Sequence, residues 1–392
     1  MPMRIGWLGH RSQTIGDGLR TYSRNVTRAL AERGVDVTFV HHEPAMDDGR
    51  SSFALHGSPV FQRRLVVAHS GTVRRLERIL REAAVDVVHV SIPFSTLDFE
   101  LPRLCQRLGI PVIATFHVPF ARRWSFYGLL SAGANRLYVR ALSDCDRVIV
   151  LGREQRALLV RHGVPDSRIA VLPNGVDLER YSPGPSPIPE RLGAERIFSY
   201  VGRVDPEKQV EAIIRAYLEA AAPTTTRLVI VGDGVDLARL RRRYRDARVV
   251  FTGAVLDENL RIDVLRASDA FFLPSLVEAQ SLALVEAMAC GAAVVATPVG
   301  NHRELLDGAG LMVRPGHLAR DLGHAMAELI GSPDRCRVLG ARARSRAVDL
   351  LDLDVHVTGL IDAYRTALLA PAAQVLRSQQ RDPAAIQADV AQ

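Results

Sequence analysis

Short apolar runs alternate with amphipathic helical stretches along the first half of the chain. The stretches LRTYSRNVTRALAERG (19–34) and TVRRLERILREAA (72–84) carry apolar residues at helical spacing. The runs between such stretches are continuous and rich in β-branched residues, which is typical of strands buried on both faces of a parallel sheet. We therefore predict strands at residues 4–9, 35–40, 85–90, 111–116, 147–152 and 168–173.

A proline-rich segment interrupts this alternation, which then resumes. Residues 181–190 (YSPGPSPIPE) hold four prolines, a density that predicts an irregular interdomain linker. Beyond it we predict strands within 196–202, 227–234, 247–253, 269–275, 292–300 and 309–315. These periods indicate two tandem doubly wound α/β units. We assign 1–183 to the first domain, 184–370 to the second, with its last helix free to pack back on the first, and 371–392 to a polar tail.

Size and composition are consistent with two domains in a reducing compartment. A chain of 392 residues exceeds what one hydrophobic core usually serves. Its four cysteines lie far apart, which argues against a disulfide framework or a zinc site. The start MPMRIGWLGH lacks the apolar core of a signal peptide, and no run approaches the roughly 20 apolar residues that span a bilayer. We expect a cytoplasmic protein, and peripheral contact with the inner face of the membrane stays open.

The formal charge of +7 favours anionic partners without choosing among them. Nucleotide phosphates, anionic lipid, acidic glycan and nucleic acid all satisfy it. Few aromatic residues are interleaved with the basic runs, which argues against nucleic acid. Residues 120–142 place Arg122 and Arg123 beside Trp124, Phe126 and Tyr127. This segment fits either a bilayer interface or, as we prefer, a helix packed on the first domain.

Two cations follow a predicted strand in the second half. Arg203 stands at the strand end, directly after Gly202, and Lys208 lies five residues further on, where we expect a helix to begin. Ligands of open α/β sheets bind beyond the carboxyl ends of strands, where helix N-termini aim free N–H groups outward. The pair therefore predicts a pyrophosphate clamp that neutralises a departing nucleoside diphosphate.

The most informative stretch, LPSLVEAQSLALVEAMACG, contains two carboxylates. Glu278 falls in the loop after a strand, and Glu286 falls in a helix that we expect to start near Ser281. Eight residues span a little over two helical turns, so both carboxylates can face one cleft. Carboxylates accept paired hydrogen bonds from vicinal diols such as those of ribose and sugars. Glu286 could instead only complement the helix dipole, but its apolar flanks make that interpretation weaker.

The first domain offers a glycine-containing loop and a histidine. Gly16 and Gly18 would let the backbone approach a phosphate or sugar closely. A dinucleotide fingerprint with Glu43 as the ribose acid is less favoured, because a third glycine is missing and the loop starts too far from its strand. His117 follows a strand; taken alone it would be a core residue, but the ends of the two sheets should face each other across one cleft.

Taken in order, these segments resemble glycosyltransferase family 4. The resemblance covers residues 4 to 315 and implies the GT-B fold, two Rossmann-like domains facing a central cleft, with retention of the anomeric configuration. The matching pieces are GDGLRTYSRNVTRALAERGVDV, TFH, LPNGVDLERYSP, YVGRVDPEKQ, LVIVGDG, VVFTGAV, LPSLVEAQSLALVEAMACG and ATPVGNHRELL.

The resemblance implies a role for each candidate residue. The catalytic set would be His117, Arg203, Lys208 and Glu278, with His117 near the sugar and the incoming hydroxyl. In the donor site, Gly16, Gly18, Gly202, Arg203 and Lys208 would surround the phosphates. Gly253 and Val255 would lie at the base, and Glu286 at the ribose. Glu278 and the amides of Gln280, Ser281 and Leu282 would bind the transferred sugar. A front-face reaction in which the leaving phosphate takes the acceptor proton needs no enzyme nucleophile.

Three positions depart from the family pattern. Asp17-Gly18 stands where many relatives have Gly-Gly, and Glu278-Ala-Gln-Ser281 stands where many have E-G-F-G. The G-G-x-x-E loop is represented by residues 300–304, GNHRE. The donor sugar therefore does not follow from analogy.

We expect no catalytic metal and no cofactor. Of two Asp-x-Asp pairs, Asp144/Asp146 precedes its strand and Asp352/Asp354 lies in a helical region, so neither is placed to hold a donor-bound metal. The favoured function is a hexosyltransferase that uses a UDP- or GDP-sugar and a lipid, glycan or small-molecule acceptor. An epimerase or phosphorylase of similar architecture, and a non-catalytic protein that binds nucleotides or nucleic acid, remain alternatives.

Overall fold

The computed structural model describes residues 2–10, 18–42, 52–60, 65–119 and 138–369. Gly16, Glu43, residues 120–137 of the amphipathic segment and the tail 371–392 lie outside these ranges.

The N-terminal unit is built on a parallel sheet. Its strands are β1 (Arg4–Leu8), β2 (Asp36–His41), β3 (Ser52–Ala54), β4 (Gly57–Val60), β5 (Leu65–Ala68), β6 (Val87–Ile92), β7 (Val112–Phe116), β8 (Arg147–Val150) and β9 (Ile169–Val171). Among the described residues, seven strands pair in the order β3-β2-β1-β6-β7-β8-β9, while β4 and β5 form a separate antiparallel pair. The six predicted strands are confirmed. Strands β3 to β5 were not predicted, because each spans only three or four residues.

Helices cover this sheet. They are α1 (Gly18–Glu32), α2 (Thr72–Glu82), α3 (Leu101–Leu108) and α4 (Arg153–Arg161), with 3-10 turns at Thr96–Phe99 and Asp166–Arg168. Helix α3 ends where Gly109 adopts φ 66°, a left-handed conformation that glycine tolerates best. The two helical stretches predicted from periodicity correspond to α1 and α2.

The C-terminal unit repeats the architecture. Its strands are β10 (Arg196–Val201), β11 (Thr226–Val231), β12 (Val249–Gly253), β13 (Ser268–Leu273), β14 (Ala293–Ala296) and β15 (Gly310–Met312). They pair in parallel in the order β12-β11-β10-β13-β14-β15. All six were predicted, because continuous runs such as 197–201 are buried on both faces of the sheet.

The helices of this unit include one that the prediction excluded. They are α5 (Ile188–Arg191), α6 (Val210–Glu219), α7 (Leu237–Arg243), α8 (Glu258–Ala267), α9 (Leu282–Ala289), α10 (His302–Leu305), α11 (Leu318–Gly331), α12 (Pro333–Leu350) and α13 (Leu353–Leu369), with 3-10 turns at Pro206–Lys208 and Pro315–His317. Helix α5 begins inside the proline-rich segment, so the prediction that nothing regular forms there is wrong. Pro189 lies in its first turn, where the missing N–H would have no intrahelical partner anyway.

The last helix, α13, leaves the C-terminal unit and packs on the N-terminal sheet. Val357, Leu360 and Tyr364 are buried in one cluster with Ile5 and Trp7. The two units are thus joined by a shared core as well as by the linker. None of the helices in the described ranges has both the length and the apolar character needed to span a membrane.

The carboxyl ends of the two sheets meet where α1 and α9 begin. A Cβ atom built on Gly18, the first residue of α1, would lie 4.0 Å from Leu282 Cδ1, at the first residue of α9. The prediction of two Rossmann-like domains across one cleft is confirmed, and the candidate site lies along this junction.

Candidate active site

A buried ion pair lies at the carboxyl edge of the C-terminal sheet. Lys208 ends the 3-10 turn after β10, Glu278 follows β13, and Lys208 Nζ lies 2.6 Å from Glu278 Oε1. Only 12% and 13% of the two side chains are exposed. Burial would raise the pKa of Glu278, but the ammonium of Lys208 holds it below its usual value. The Glu278 carboxylate is therefore ionised at neutral pH.

The composition contains a further indication that Lys208 is special. It is the single lysine of the chain, whereas the other 49 of its 50 basic residues are arginines. An ammonium is a compact point charge, whereas a guanidinium is larger and planar, so the two are not interchangeable at a buried position. The single lysine is therefore a feature of the sequence that points to Lys208 independently of its spacing from Arg203.

Arg203 is held at the end of β10 by acidic neighbours. Its guanidinium contacts Asp205 and lies 3.0 Å from Glu207 Oε1. Burial lowers the pKa of Arg203, but the charges of Asp205, Glu207 and Glu278 raise it above its usual value. The structure therefore brings Arg203, Lys208 and Glu278 together, and a diphosphate would compete with carboxylates for Arg203.

Glu286 belongs to a second acidic cluster further along α9. Its side chain is buried, with 7% of the residue exposed, and lines a small cavity with Tyr22 and Asn25 of the N-terminal unit. Burial and the charge of Glu258 raise the pKa of Glu286 to about 7, although Arg261 opposes this shift. Glu286 thus carries a titratable proton near neutral pH, unlike Glu278.

Helix α9 begins between the two glutamates, as the sequence predicted. Ser281 caps it, because Ser281 Oγ accepts a hydrogen bond from the Leu284 N–H at 3.4 Å. The first N–H groups of a helix lack intrahelical partners, and α9 begins beside the first residue of α1. The side chain of Gln280 turns inward instead and binds Asn174 and Asn301, so only its backbone can face a sugar.

The loop expected beside a nucleobase connects to the Glu286 cluster. Gly253 ends β12 with φ 74°, and the Val255 carbonyl accepts from Arg261 Nη1 at 3.4 Å. Arg261 therefore links the predicted base border to the predicted ribose carboxylate. Neither periodicity nor spacing identified Arg261, because an arginine on an amphipathic helix is ordinarily solvated.

The backbones of Gly202 and Gly232 approach each other closely beside the predicted phosphate-binding residues. A Cβ on Gly232 would lie 1.8 Å from the carbonyl oxygen of Gly202, the residue before Arg203. The ends of β10 and β11 therefore touch there, and no side chain fits between them.

On the opposite side of the junction, His117 follows β7. The ring is buried against Tyr22, with ring centroids 4.5 Å apart, and Nε2 has no hydrogen-bond partner within the described residues. Burial, helped by the neighbouring His356 and His10, lowers the pKa of His117 to about 3. The imidazole is neutral and can accept or donate a hydrogen bond without a charge.

The two Asp-x-Asp pairs make structural hydrogen bonds. Asp146 Oδ2 accepts from the Val112 N–H at 2.8 Å, and Asp352 Oδ1 accepts from the Asp354 N–H at 2.7 Å. Across the described ranges, no group of three or more histidine, cysteine or acidic side chains could hold a metal ion. The expectation of a metal-independent reaction stays a prediction.

Comparisons with known proteins agree with this architecture. The model of glycosyltransferase family 4 matches residues 16–180, and the model of glycosyl transferases group 1 matches residues 195–332. The D-inositol 3-phosphate glycosyltransferase of Rhodococcus jostii is 32% identical over 58% of this chain and 54% of its own length. The D-inositol 3-phosphate glycosyltransferase 2 of Catenulispora acidiphila is 31% identical over 88% of this chain and 91% of that protein.

The fold itself is shared with a sucrose-phosphate synthase of Thermosynechococcus elongatus. The TM-score is 0.75 at 21% identity, and the match covers 93% of this chain and 98% of that one. Two facing Rossmann-like domains of this kind define the GT-B class. The chain belongs to glycosyltransferase family 4. The aligned part spans about half the length of the first relatives, 54% for Rhodococcus jostii and 55% for Rhodococcus opacus.

Proposed function

We propose that the protein transfers a hexose from a UDP- or GDP-sugar to a hydroxyl of a lipid, glycan or small-molecule acceptor, with retention and without a metal. The observation that carries the proposal is the buried pair of Lys208 and Glu278 at the strand ends, across the junction from His117. The names of the two relatives support a hydroxyl-bearing small molecule among the acceptor classes.

In this proposal the charged residues divide the work. Lys208 and Arg203 neutralise the charge that develops on the departing diphosphate, while Glu278 accepts hydrogen bonds from sugar hydroxyls. Because Lys208 is only 12% exposed, its charge is poorly screened by water and acts strongly on a nearby phosphate. Neutral His117 would orient the acceptor hydroxyl, and the leaving phosphate would take its proton.

The first prediction concerns Lys208. Release of nucleoside diphosphate from a panel of UDP- and GDP-sugars should fall about 100- to 1,000-fold in Lys208→Ala, because a transition-state charge loses its partner. Lys208→Arg should also be impaired, since the larger planar guanidinium must displace the buried ammonium from its position 2.6 Å from Glu278 Oε1 and so changes the charge presented to the phosphate.

Arg365→Ala, an exposed arginine on α13, is the matched control and should keep wild-type turnover. Equal melting temperatures of the variants would exclude misfolding as the cause. Release that persists in Lys208→Ala, or a wild type that neither turns over nor is thermally stabilised by any sugar nucleotide of the panel, would contradict the proposed function.

A further inference from the structure

The loop between β14 and α10 reaches across to the N-terminal unit. Asn301 Nδ2 donates to the Leu151 carbonyl at 2.8 Å, and the Arg153 N–H, at the start of α4, donates to Glu304 Oε1 at 2.7 Å. A Cβ on Gly152 would lie 2.7 Å from Asn301 Cβ, so the two units are in tight contact there. Asn301 is only 3% exposed.

The same amide nitrogen also contacts residues 278–281, in the loop between β13 and α9, which we call the sugar loop. Asn301 Nδ2 lies 3.0 Å from Gln280 Oε1, which accepts from the Asn174 N–H at 2.9 Å. Gln280 Nε2 in turn donates to the Asn174 carbonyl at 3.0 Å. Backbone groups fix the orientation of both carboxamides, because an N–H can only donate and a carbonyl can only accept.

Backbone contacts press the two loops together. The Asn301 N–H donates to the Ala279 carbonyl at 3.1 Å. A Cβ on Gly300, which has φ 55°, would lie 2.2 Å from that same oxygen and 2.6 Å from the Glu278 carbonyl. The loop at 300–301 is therefore in direct contact with the backbone of Glu278 and Ala279.

Gln280 and Asn301 are also two positions at which the chain departs from the family pattern. Gln280 falls in the E-A-Q-S variant of E-G-F-G, and Asn301 stands at the second glycine of G-G-x-x-E. The two departures are hydrogen-bonded to each other and to both sides of the domain junction. Both carboxamides are buried, and Asn301 Nδ2 donates to both the Leu151 carbonyl and Gln280 Oε1, so a change at Asn301 alters the hydrogen bonds on both sides.

We propose that Asn301 and Gln280 are positioning residues. They hold the sugar loop in the conformation required for turnover only when the two domains are closed. When Leu151 moves away, Asn301 loses its partner in the N-terminal unit, and the restraint on Gln280 and Glu278 weakens. The assignment of the sugar to this loop rests on the proposed function, whereas the coupling between closure and the loop does not.

Asn301→Asp tests the proposal, because it keeps the volume and removes the donor that faces Leu151 and Gln280. Turnover of the nucleotide sugar should fall about tenfold or more, whereas the affinity for UDP or GDP alone should stay within about twofold. Gln280→Glu should act in the same direction, and the double variant should lose less than the product of the two single effects.

The control is Arg33→Gln, which removes an ion pair between the N-terminal unit and α13. Arg33 Nη2 lies 2.6 Å from Asp354 Oδ1, and neither residue contacts the sugar loop. Its turnover should change by no more than about twofold. A parallel loss of UDP or GDP affinity and turnover in Asn301→Asp, or the loss of neither, would overturn the coupling.

A second measurement separates this proposal from the proposed function. Hydrogen exchange in the presence of UDP or GDP should become faster at residues 151–153 and 278–281 in Asn301→Asp, and in Gln280→Glu if the first variant does not fold. Unchanged exchange at both segments would overturn the coupling even if the wild type turned over normally. If the wild type showed no turnover but the variants showed this exchange response, the proposed function would be contradicted and the coupling would stand.

Discussion

Two buried carboxylates of the C-terminal unit differ in charge because their neighbours differ. Glu278 lies against the ammonium of Lys208, and its pKa is held below the usual value despite burial. Glu286 is surrounded by the N-terminal unit and a second carboxylate, Glu258, and burial raises its pKa to about 7. The same residue type thus supplies a permanent charge in one place and a titratable group in the other.

At this scale we predict a pH dependence of stability that depends on Glu286. The folded protein keeps this proton up to about pH 7, whereas the unfolded chain releases it from about pH 4.5. The raised pKa therefore stabilises the fold fully below about pH 4.5, and this contribution is lost as the pH rises to about 7. Thermal unfolding across this range should show the melting temperature of the wild type falling relative to that of Glu286→Gln.

Glu286 should also tune nucleotide binding. In the role proposed for Glu286, a ribose diol would donate to the ionised carboxylate, so the affinity for UDP or GDP should rise as the pH rises through about 7. Glu286→Gln should flatten that rise. Identical pH profiles of the two proteins, in stability and in affinity, would contradict the environment described for this side chain.

Among the elements, two helical glycines meet opposite surroundings. A Cβ on Gly340, in α12, would lie 2.0 Å from the Gly291 carbonyl oxygen, at the turn after α9. A Cβ on Gly323, in α11, would meet nothing within 4 Å. Helix α12 therefore depends on a missing side chain for its close packing against the turn that follows α9, and α11 does not.

We predict opposite effects for the two alanine variants. Gly340→Ala should lower the free energy of unfolding by about 1–3 kcal/mol through overpacking. Gly323→Ala should raise it by about 0.5–1 kcal/mol, because alanine favours the helix and finds open space. Denaturant titration of both variants would measure these free energies of unfolding. Equal values would show that α12 lies farther from Gly291 than the structure indicates.

At the scale of the whole molecule, α13 ties the end of the chain to the first domain. Val357 is fully buried against the N-terminal sheet, whereas Val355, two residues earlier in the same helix, is 64% exposed. The Tyr364 hydroxyl lies 2.8 Å from His89 Nδ1 in the same buried region. The N-terminal core is therefore completed by residues that follow the C-terminal domain.

This arrangement predicts that a change in α13 destabilises the N-terminal unit. Val357→Ala should lower the free energy of unfolding by about 2–3 kcal/mol, from lost burial and the cavity that remains. Val355→Ala, the matched control, should change it by no more than about 0.5 kcal/mol. Equal effects in denaturant unfolding would mean that α13 does not pack on the N-terminal sheet in solution.

The sequence by itself determined the elements and most of the candidate residues. Strands such as β10 are local apolar runs, and strand ends in a parallel sheet place residues such as Arg203 and His117 at the cleft wherever the helices lie. The short strands β3 to β5 and helix α5 were not predicted from the sequence, because their formation depends on neighbours in space rather than on a local period.

Only the tertiary structure decided how these residues combine. Lys208 and Glu278 are 70 positions apart, and Asn301 and Leu151 are 150 apart, so no local pattern encodes either contact. The charge of Glu286 likewise depends on its burial and on side chains from distant parts of the chain, among them Tyr22 in the cavity lining and Glu258. Hydrogen bonds form only at about 3 Å, and electrostatic shifts weaken over about 10 Å, so both follow from proximity in the fold and not from order along the chain.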